Sequence, residues 1–263
     1  MVMIDVHCHL EQKDYEQDRD EVIEKCKKEL KAVITSCVHP SDFDLTMEMV
    51  EKHKNFVFAS CGLHPEYVKE VSEQQKDQYF KLIEQNKDRI VAIGETGLDF
   101  HWVKEEEWRK KQEKVFIEHI NLAKKLKKPL IIHSRGVFDE TLLALEEQDV
   151  KRVLLHMWGE KNLLDRIKDK NWFISVNTMI LRSKPYRKVV KNFSIERTLL
   201  ETDSPWLAPK KIIEGIKARN DPISIKIVAQ KLSEIKKLSF EEVWKKCAEN
   251  AVTFFSLPVQ LFK

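Results

Sequence analysis

The chain has 263 residues, of which 42% are hydrophobic and 34% are charged, and its formal net charge is +3. This length suits a single barrel of about 250 residues, and the small net charge neither requires nor excludes a nucleic-acid partner. No run approaches the roughly 18 apolar residues of a membrane span. Asp5 and His7 interrupt the opening apolar run, so we expect neither a membrane segment nor a secretory leader.

Short runs rich in Val, Ile and Leu alternate with charged amphipathic segments along the chain. The runs predict eight strands buried on both faces: Val2–Val6, Ala32–Val38, Phe56–Gly62, Ile90–Gly94, Pro129–His133, Arg152–His156, Trp172–Val176 and Thr198–Leu200. The other segments predict helices: Arg19–Leu30, Phe43–His53, Glu73–Gln85, Glu105–Leu126, Asp139–Glu147, Asn162–Lys168, Asp221–Ile235 and Phe240–Phe255, with a short basic connection around Tyr186–Val190.

Eight strand–helix units predict an α/β TIM-type (β/α)₈ barrel. No Gly-x-Gly-x-x-Gly follows any run, which disfavours a dinucleotide-binding sheet. Because no linker, repeat or low-complexity tract interrupts the pattern, we expect residues 1–263 to form a single domain. Ser239 begins Ser-Phe-Glu-Glu and is predicted to cap the last helix.

The cysteines are five, unpatterned and without a Cys-x-x-Cys pair: Cys8, Cys26, Cys37, Cys61 and Cys247. This usage is typical of a reducing compartment, so we expect a cytoplasmic protein. Three of them lie inside apolar runs and are predicted to be buried: Cys8, Cys37 and Cys61.

Polar side chains follow the predicted strands, at the end where barrel enzymes place their sites. Period-two alternation puts Asp5, His7 and His9 on one face of the first strand, aimed at the barrel mouth. Imidazoles spaced in this way can share a metal ion, although such a pair alone also fits hydrogen-bonded structural histidines.

Four further strands end in comparable residues. Glu95 lies between Gly94 and Gly97, which predicts a tight turn that presents its carboxylate. His133 and His156 each stand where an apolar run stops, and the eighth strand is followed by Glu201 and Asp203. Taken singly, each of these residues also has a structural explanation, such as a turn or a satisfied histidine.

The combination is more specific than its parts. Four histidines and two carboxylates at the ends of five strands favour one shared site with mixed nitrogen and oxygen ligands. Such ligands suit Zn²⁺, Mn²⁺ or Co²⁺, with Mg²⁺ at an oxygen-richer position. Six ligands are too many for one catalytic ion with an open position. Two ions bridged by a carboxylate would use all six and activate a water for hydrolysis.

Six motifs in order make the chain resemble the TatD-type metal-dependent deoxyribonucleases of the amidohydrolase superfamily, from end to end. The motifs are Ile4-Asp5-Val6-His7-Cys8-His9-Leu10, Gly62-Leu63-His64-Pro65, Gly94-Glu95-Thr96-Gly97-Leu98-Asp99, Pro129-Leu130-Ile131-Ile132-His133-Ser134-Arg135, Leu200-Glu201-Thr202-Asp203-Ser204-Pro205-Trp206-Leu207 and Arg219-Asn220-Asp221-Pro222.

The resemblance implies roles for these residues. His7, His9 and Asp203 would hold one ion, and Glu95 would bridge to a second ion held by His133 and His156. Asp203 would orient or deprotonate the attacking water, with Glu201 orienting a ligand or water. His64 would face the substrate phosphate, and the nuclease hypothesis adds Arg135 and Arg219 at the phosphate and Trp206 in the mouth as further substrate contacts. His64 has an alternative reading as a turn residue before Pro65.

Two loops depart from the family pattern. After the sixth strand the family usually has His-Cys-Phe-Ser-Gly, and this chain has His156-Met157-Trp158-Gly159-Glu160. After the seventh strand a Ser/Gly-rich turn is usual, and this chain has Ser175-Val176-Asn177-Thr178-Met179-Ile180. Both loops border the substrate mouth, so the departures put the substrate in doubt more than the metal site.

The loops predicted at the mouth also carry aromatic and basic residues, which can stack bases and follow phosphates of a single strand. The aromatic residues are Trp102, Phe138, Trp158 and Trp206. The basic residues include Arg135, Arg182, Lys184, Arg187, Lys210, Lys211 and Arg219. The same residues also fit a capped barrel core and a solvated surface.

The leading hypothesis is therefore a deoxyribonuclease of the 3′–5′ exonuclease type. It would use two divalent ions (Mg²⁺, Mn²⁺ or Zn²⁺) and act on single-stranded DNA or 3′ ends. The alternative is a metal-dependent hydrolase of another ester or amide bond, such as an aminoacyl-tRNA ester. A cyclic amidase is disfavoured because the bridging position carries Glu95 instead of a lysine. A non-enzymatic binding protein is disfavoured because the whole ligand set is present.

Overall fold

The barrel is formed by eight parallel strands that pair in sequence order. In the computed structural model, which describes residues 3–210, 212–213 and 216–258, each strand hydrogen-bonds to the next one along the chain. The strands are β1 (Ile4–Cys8), β2 (Ala32–Cys37), β3 (Val57–Cys61), β4 (Ile90–Asp99), β5 (Leu130–Arg135), β6 (Val153–Leu155), β7 (Phe173–Val176) and β8 (Thr198–Leu200). The predicted (β/α)₈ architecture is confirmed.

Backbone hydrogen bonds between the carboxyl end of β1 and the segment after β8 close the barrel. The amide of Asp203 donates to the carbonyl of His7 at 3.0 Å, and the amide of His9 donates to the carbonyl of Ser204 at 2.7 Å. The seam of the barrel therefore runs through residues that were predicted to form the functional site.

The helices surround the barrel close to the predicted positions. They are α1 (Arg19–Glu29), α2 (Phe43–Lys52), α3 (Glu73–Gln85), α4 (Glu106–Leu126), α5 (Phe138–Glu147), α6 (Leu164–Lys168), α7 (Lys184–Asn192), α8 (Ile225–Lys236) and α9 (Phe240–Phe255). Ser239 caps α9 through the reciprocal bonds with Glu242 that its motif predicts. Within the described residues, no helix is long and apolar enough to cross a membrane.

Several boundaries differ from the prediction for local reasons. The segment predicted to start at Asp221 first makes a single 3₁₀ turn, in which the Asp221 carboxylate accepts the amide of Ile223 at 3.0 Å, and α8 begins only at Ile225. The unpredicted strands β9 (Ile212–Ile213) and β10 (Ile216–Lys217) pair antiparallel after β8. Val2 of the first predicted strand and Lys211 of the predicted basic set lie outside the described residues.

The apolar interior of the barrel lies toward the amino ends of the strands. Strand residues pack there against the last turn of α9, and the cluster includes Ile4, Val6, Ile34, Ala92, Ile131, Leu154, Leu199, Phe254 and Phe255. A larger apolar layer lies between the strands and the helices. All five cysteines are buried, which confirms the prediction for the three in apolar runs. The carboxyl ends of the strands remain for polar side chains.

Strand β4 differs most from its prediction. Glu95 was expected on a tight turn after Gly94, and this is wrong, because β4 continues to Asp99 and Gly97 pairs with His133 on β5. The two glycines permit close approach of two backbones. A Cβ atom on Gly94 would lie 2.4 Å from the Ile131 carbonyl oxygen, and one on Gly97 would lie 2.0 Å from the His133 carbonyl oxygen.

We expect Gly97→Ala to destabilise the fold by roughly 3 kcal/mol or more, because its φ of +143° and its contact with β5 both exclude a side chain. Gly159→Ala is the matched control, since a Cβ there would meet its nearest neighbour, Tyr186, at an ordinary 3.6 Å. It should change the free energy of unfolding by less than about 0.5 kcal/mol. Urea unfolding of both variants measures the difference, and equal losses would contradict this account of β4.

Candidate metal centre

A buried carboxylate lies at the centre of the polar cluster, and its two oxygens face different histidines. Oε2 of Glu95 is 3.2 Å from Nε2 of His7 and 3.7 Å from Nε2 of His9. Oε1 is 2.9 Å from Nδ1 of His133 and 3.8 Å from Nε2 of His156. Glu95 is therefore placed to bridge two separate groups of nitrogen donors.

Asp203 completes the first of these groups. Its Oδ1 lies 3.4 Å from Nε2 of His9, 3.6 Å from Nε2 of His7 and 4.0 Å from Nε2 of His156. The side chain remains 14% exposed while its neighbours His7 and His9 are nearly inaccessible. The structure thus brings together all six predicted ligands, with Asp203 on the side that solvent reaches.

The second ring nitrogen of each histidine is held by a protein group. Nδ1 of His9 lies 3.1 Å from the Ser36 carbonyl oxygen, and Nδ1 of His156 lies 2.8 Å from Oε2 of Glu201. Nδ1 of His7 contacts the Ser36 hydroxyl at 3.0 Å.

His133 is held in the opposite orientation, because its Nε2 lies 3.0 Å from Oδ2 of Asp99 and leaves Nδ1 toward Glu95. Carboxylate and carbonyl partners of this kind fix the ring and the tautomer of metal-binding histidines. The donor set therefore fits divalent ions.

The cluster balances its own charges. Burial lowers the pKa of His156, but the charges of Glu201 and Glu95 outweigh burial and raise it to about 10. Burial also lowers the pKa of His133, but its hydrogen bonds to Asp99 and Glu95 outweigh this effect and raise the pKa to about 8. A divalent ion would compete with these protons, so metal binding should release them.

His64 faces the same carboxylate but differs from the other histidines. Its Nδ1 accepts the amide of Glu66 at 3.2 Å, so the neutral ring carries its proton on Nε2, which lies 3.6 Å from Oε1 of Glu95. Burial and the nearby His133 lower the pKa of His64. The ring therefore presents a hydrogen-bond donor toward the site while its Nδ1 holds the turn at Pro65, and its contact with a phosphate stays a prediction.

The other predicted substrate contacts separate in the structure. The Trp206 ring lies 4.7 Å from the His9 ring and is 39% exposed. Arg135 lies at the end of β5, with its guanidinium 5.1 Å from the centre of the Trp102 ring.

Arg219 does not join the ligand cluster. Its guanidinium makes two bonds to Asp18, at 2.8 and 2.5 Å, and lies 4.7 Å from the Tyr15 ring centre. Its carboxylate partner already compensates its charge.

Three supporting residues were not predicted. Asp99 holds His133, Glu11 lies 3.1 Å from Nδ1 of His9, and Asn177 donates to Glu201 at 2.9 Å. Asp99 had a detectable signal, because period-two alternation along β4 puts it on the same face as Glu95. Asn177 had none, since its contact spans 24 residues of sequence.

The family model described as TatD related DNase matches residues 4–256. The chain belongs to the TatD family. Human deoxyribonuclease TATDN3 is 35% identical over 263 aligned residues, covering 96% of this chain and 94% of that protein. An uncharacterized metal-dependent hydrolase of Methanocaldococcus jannaschii is 33% identical over 253 residues, covering 96% of both chains.

A solved TatD homologue of Escherichia coli K12, YjjV, shares the fold, with a TM-score of 0.88 at 24% identity over 97% of this chain and 98% of that one. The family model and the named relatives show that this chain is a metal-dependent hydrolase.

We expect Asp99→Asn and Glu201→Gln each to weaken metal binding by roughly 10- to 100-fold, because each releases the ring that it orients. Competition of Zn²⁺ or Mn²⁺ between the protein and a chelator measures this loss. Glu113→Gln, at an exposed position of α4, is the control for loss of one carboxylate. Unchanged affinity in both variants would show that these carboxylates do not orient metal ligands.

His119, which lies outside the ligand cluster, anchors the loop that carries His64. His119 on α4 accepts the amide of Leu63 at 2.9 Å through Nε2 and contacts the Val115 carbonyl at 2.7 Å through Nδ1. Burial lowers the pKa of His119 from 6.5 to about 4. The unfolded chain therefore binds the proton first as the pH falls, so stability that is complete above pH 6.5 is lost on the way to about pH 4.

From about pH 7.5 to about pH 5, we expect the wild type to lose about 2 kcal/mol more free energy of unfolding than His119→Gln. Urea unfolding at both pH values gives this difference, and the other histidines cancel because both proteins contain them. A difference that does not change with pH would contradict the neutral, buried state of His119.

Proposed function

We propose that this chain is a deoxyribonuclease of the 3′–5′ exonuclease type that acts on single-stranded DNA or 3′ ends with two divalent ions. The observation that carries the proposal is the position of Glu95. One of its oxygens faces His7 and His9 and the other faces His133 and His156. A bridging carboxylate between two sets of donors is the arrangement that two-metal hydrolysis requires.

The ions, when bound, would polarise the phosphate and lower the pKa of a water held between them. Asp203 is placed to orient that water and accept its proton, because it combines contact with His9 and partial exposure. Burial opposes ionisation of Asp203, but a hydrogen bond from His9 and the charge of His156 lower its pKa and keep it an acceptor. Glu201, fully buried against His156 and Asn177, is a positioning residue.

The groups that would receive the substrate lie around this centre. The Nε2–H of His64 can donate to a non-bridging phosphate oxygen beside Glu95. Arg135 forms no ion pair or side-chain hydrogen bond within the described part of the chain, so its charge is available to an anion. Arg219 would have to leave Asp18 to serve in the same way. DNA as the substrate is supported by the names of the family model and of the human relative.

The altered loop after β6 gives little support to a different substrate. Trp158 is 1% exposed, its indole donates to the Glu160 carbonyl at 3.1 Å, and its ring packs on Phe138 at 5.1 Å. The bulkier residue therefore fills the protein interior and does not narrow the mouth. Hydrolysis of another ester or amide, such as an aminoacyl-tRNA ester, remains the alternative that the following experiment separates.

The test is end-labelled digestion. Purified protein, stripped of metal, receives Mg²⁺, Mn²⁺ or Zn²⁺ and single-stranded DNA labelled at either end. We expect stepwise shortening from the 3′ end that requires added metal and falls by at least about 10³-fold in Glu95→Ala. A protein that binds two ions but leaves both labelled strands intact with every metal would contradict the nuclease proposal and favour the alternative. Glu113→Gln is the control, as an exposed carboxylate of α4.

A further inference from the structure

The mouth of the barrel carries two exposed tryptophans on different sides of Glu95. Trp206 follows β8 and lies against His9, whereas Trp102 follows β4 and lies against Arg135. Trp102 is 56% exposed, more than any other large hydrophobic residue in the described part of the chain. This exposure leaves the indole accessible to a ligand beside the metal centre.

Asp99 connects this tryptophan to the metal centre. Its Oδ1 accepts the amides of His101 and Trp102, both at 2.8 Å, while its Oδ2 lies 3.0 Å from Nε2 of His133. The same carboxylate therefore fixes the turn that carries the indole and the ring that faces Glu95. Arg135, the β5 partner of Asp99, lies two residues beyond His133.

A guanidinium and an imidazole ring lie against the indole. The Arg135 guanidinium lies 5.1 Å from its ring centre, and the His101 ring meets it edge-on at 4.7 Å. Exposed Lys104 follows two residues later. Because Arg135 and His101 contact only part of the indole, the exposed part is open to a flat ligand. An aromatic face with adjacent cations suits one nucleotide, with the base on the ring and the phosphate on the cations.

We propose that Trp102 forms a stacking platform for the base of a nucleotide adjacent to the scissile phosphate, on the His133 side of the site, and that Arg135 beside it contacts the phosphate of that nucleotide. The proposal rests on the nuclease function proposed above and makes Trp102 a specificity-determining residue. It predicts that the enzyme recognises an unpaired base at this position, because a base still paired in a duplex cannot lie on the indole.

The test measures binding separately from cleavage. The probes are two fluorescein-labelled thymidine oligonucleotides with phosphorothioate linkages, one complete and one lacking the bases of its two 3′-terminal nucleotides. Fluorescence anisotropy with the metal-loaded protein should show that the wild type binds the complete probe roughly 5- to 100-fold more tightly. Trp102→Leu should bind the two probes with equal affinity, and Trp102→Phe should retain most of the preference for the complete probe.

Arg135→Ala should weaken both probes alike and reduce the dependence of binding on salt by about one phosphate contact. Leu143→Ala removes an exposed apolar side chain of α5 and should change neither quantity. The platform is overturned if Trp102→Leu keeps the wild-type ratio, or if the wild type binds neither probe. The protein could instead show a Trp102-dependent preference for the complete probe but no cleavage in the end-labelled digestion. That result would contradict only the nuclease chemistry.

Discussion

A carboxylate buried among imidazoles is the constraint on which the rest of this structure depends. Glu95 is 3% exposed, and burial of an unpaired carboxylate costs several kcal/mol. Burial alone would raise the pKa of Glu95, but the charge of His156 and the other histidines around the carboxylate, including a hydrogen bond from His133, hold it well below its usual range. The site is therefore stable only as a set: removing one partner leaves an uncompensated buried charge on another.

The barrel seam and the metal centre are built from the same few residues. The carbonyl of His7 accepts a hydrogen bond from the amide of Asp203, while the His7 ring faces the Glu95 carboxylate. His9 donates its amide to Ser204 and turns its ring toward Asp203. Divalent ions that bind only the folded arrangement should stabilise the seam together with the site. Opening of the barrel between β1 and β8 would separate the ligands, so a change that opens the barrel would also reduce the affinity for metal.

The sequence predicts which residues meet but not how their hydrogen bonds are arranged. A polar residue after an apolar strand lies at the barrel mouth whatever its neighbours, so the positions of His7, Glu95, His133 and His156 follow from pattern alone. The orientation of His133 does not, because it depends on Asp99 on a different strand. The local pattern around Glu95 was misread for a related reason: glycines that signal a turn equally serve two backbones in close contact, and only the partner strand distinguishes the cases.

Tertiary contacts also separate the aromatic and basic residues that looked equivalent in sequence. Trp158 lies in the interior, Arg219 is paired with Asp18, and Trp102 with Arg135 remains exposed. Beyond Arg135 lies an open cavity of about 400 Å³ whose lining includes Asp139, Glu140 and Glu160. Arg166 compensates Asp139 at 3.0 Å, but the other two carboxylates would repel a polyanion. With the proposed substrate, a bound strand is therefore expected to pass over Trp102 and Arg135 and to avoid the acidic cavity on the α5 side.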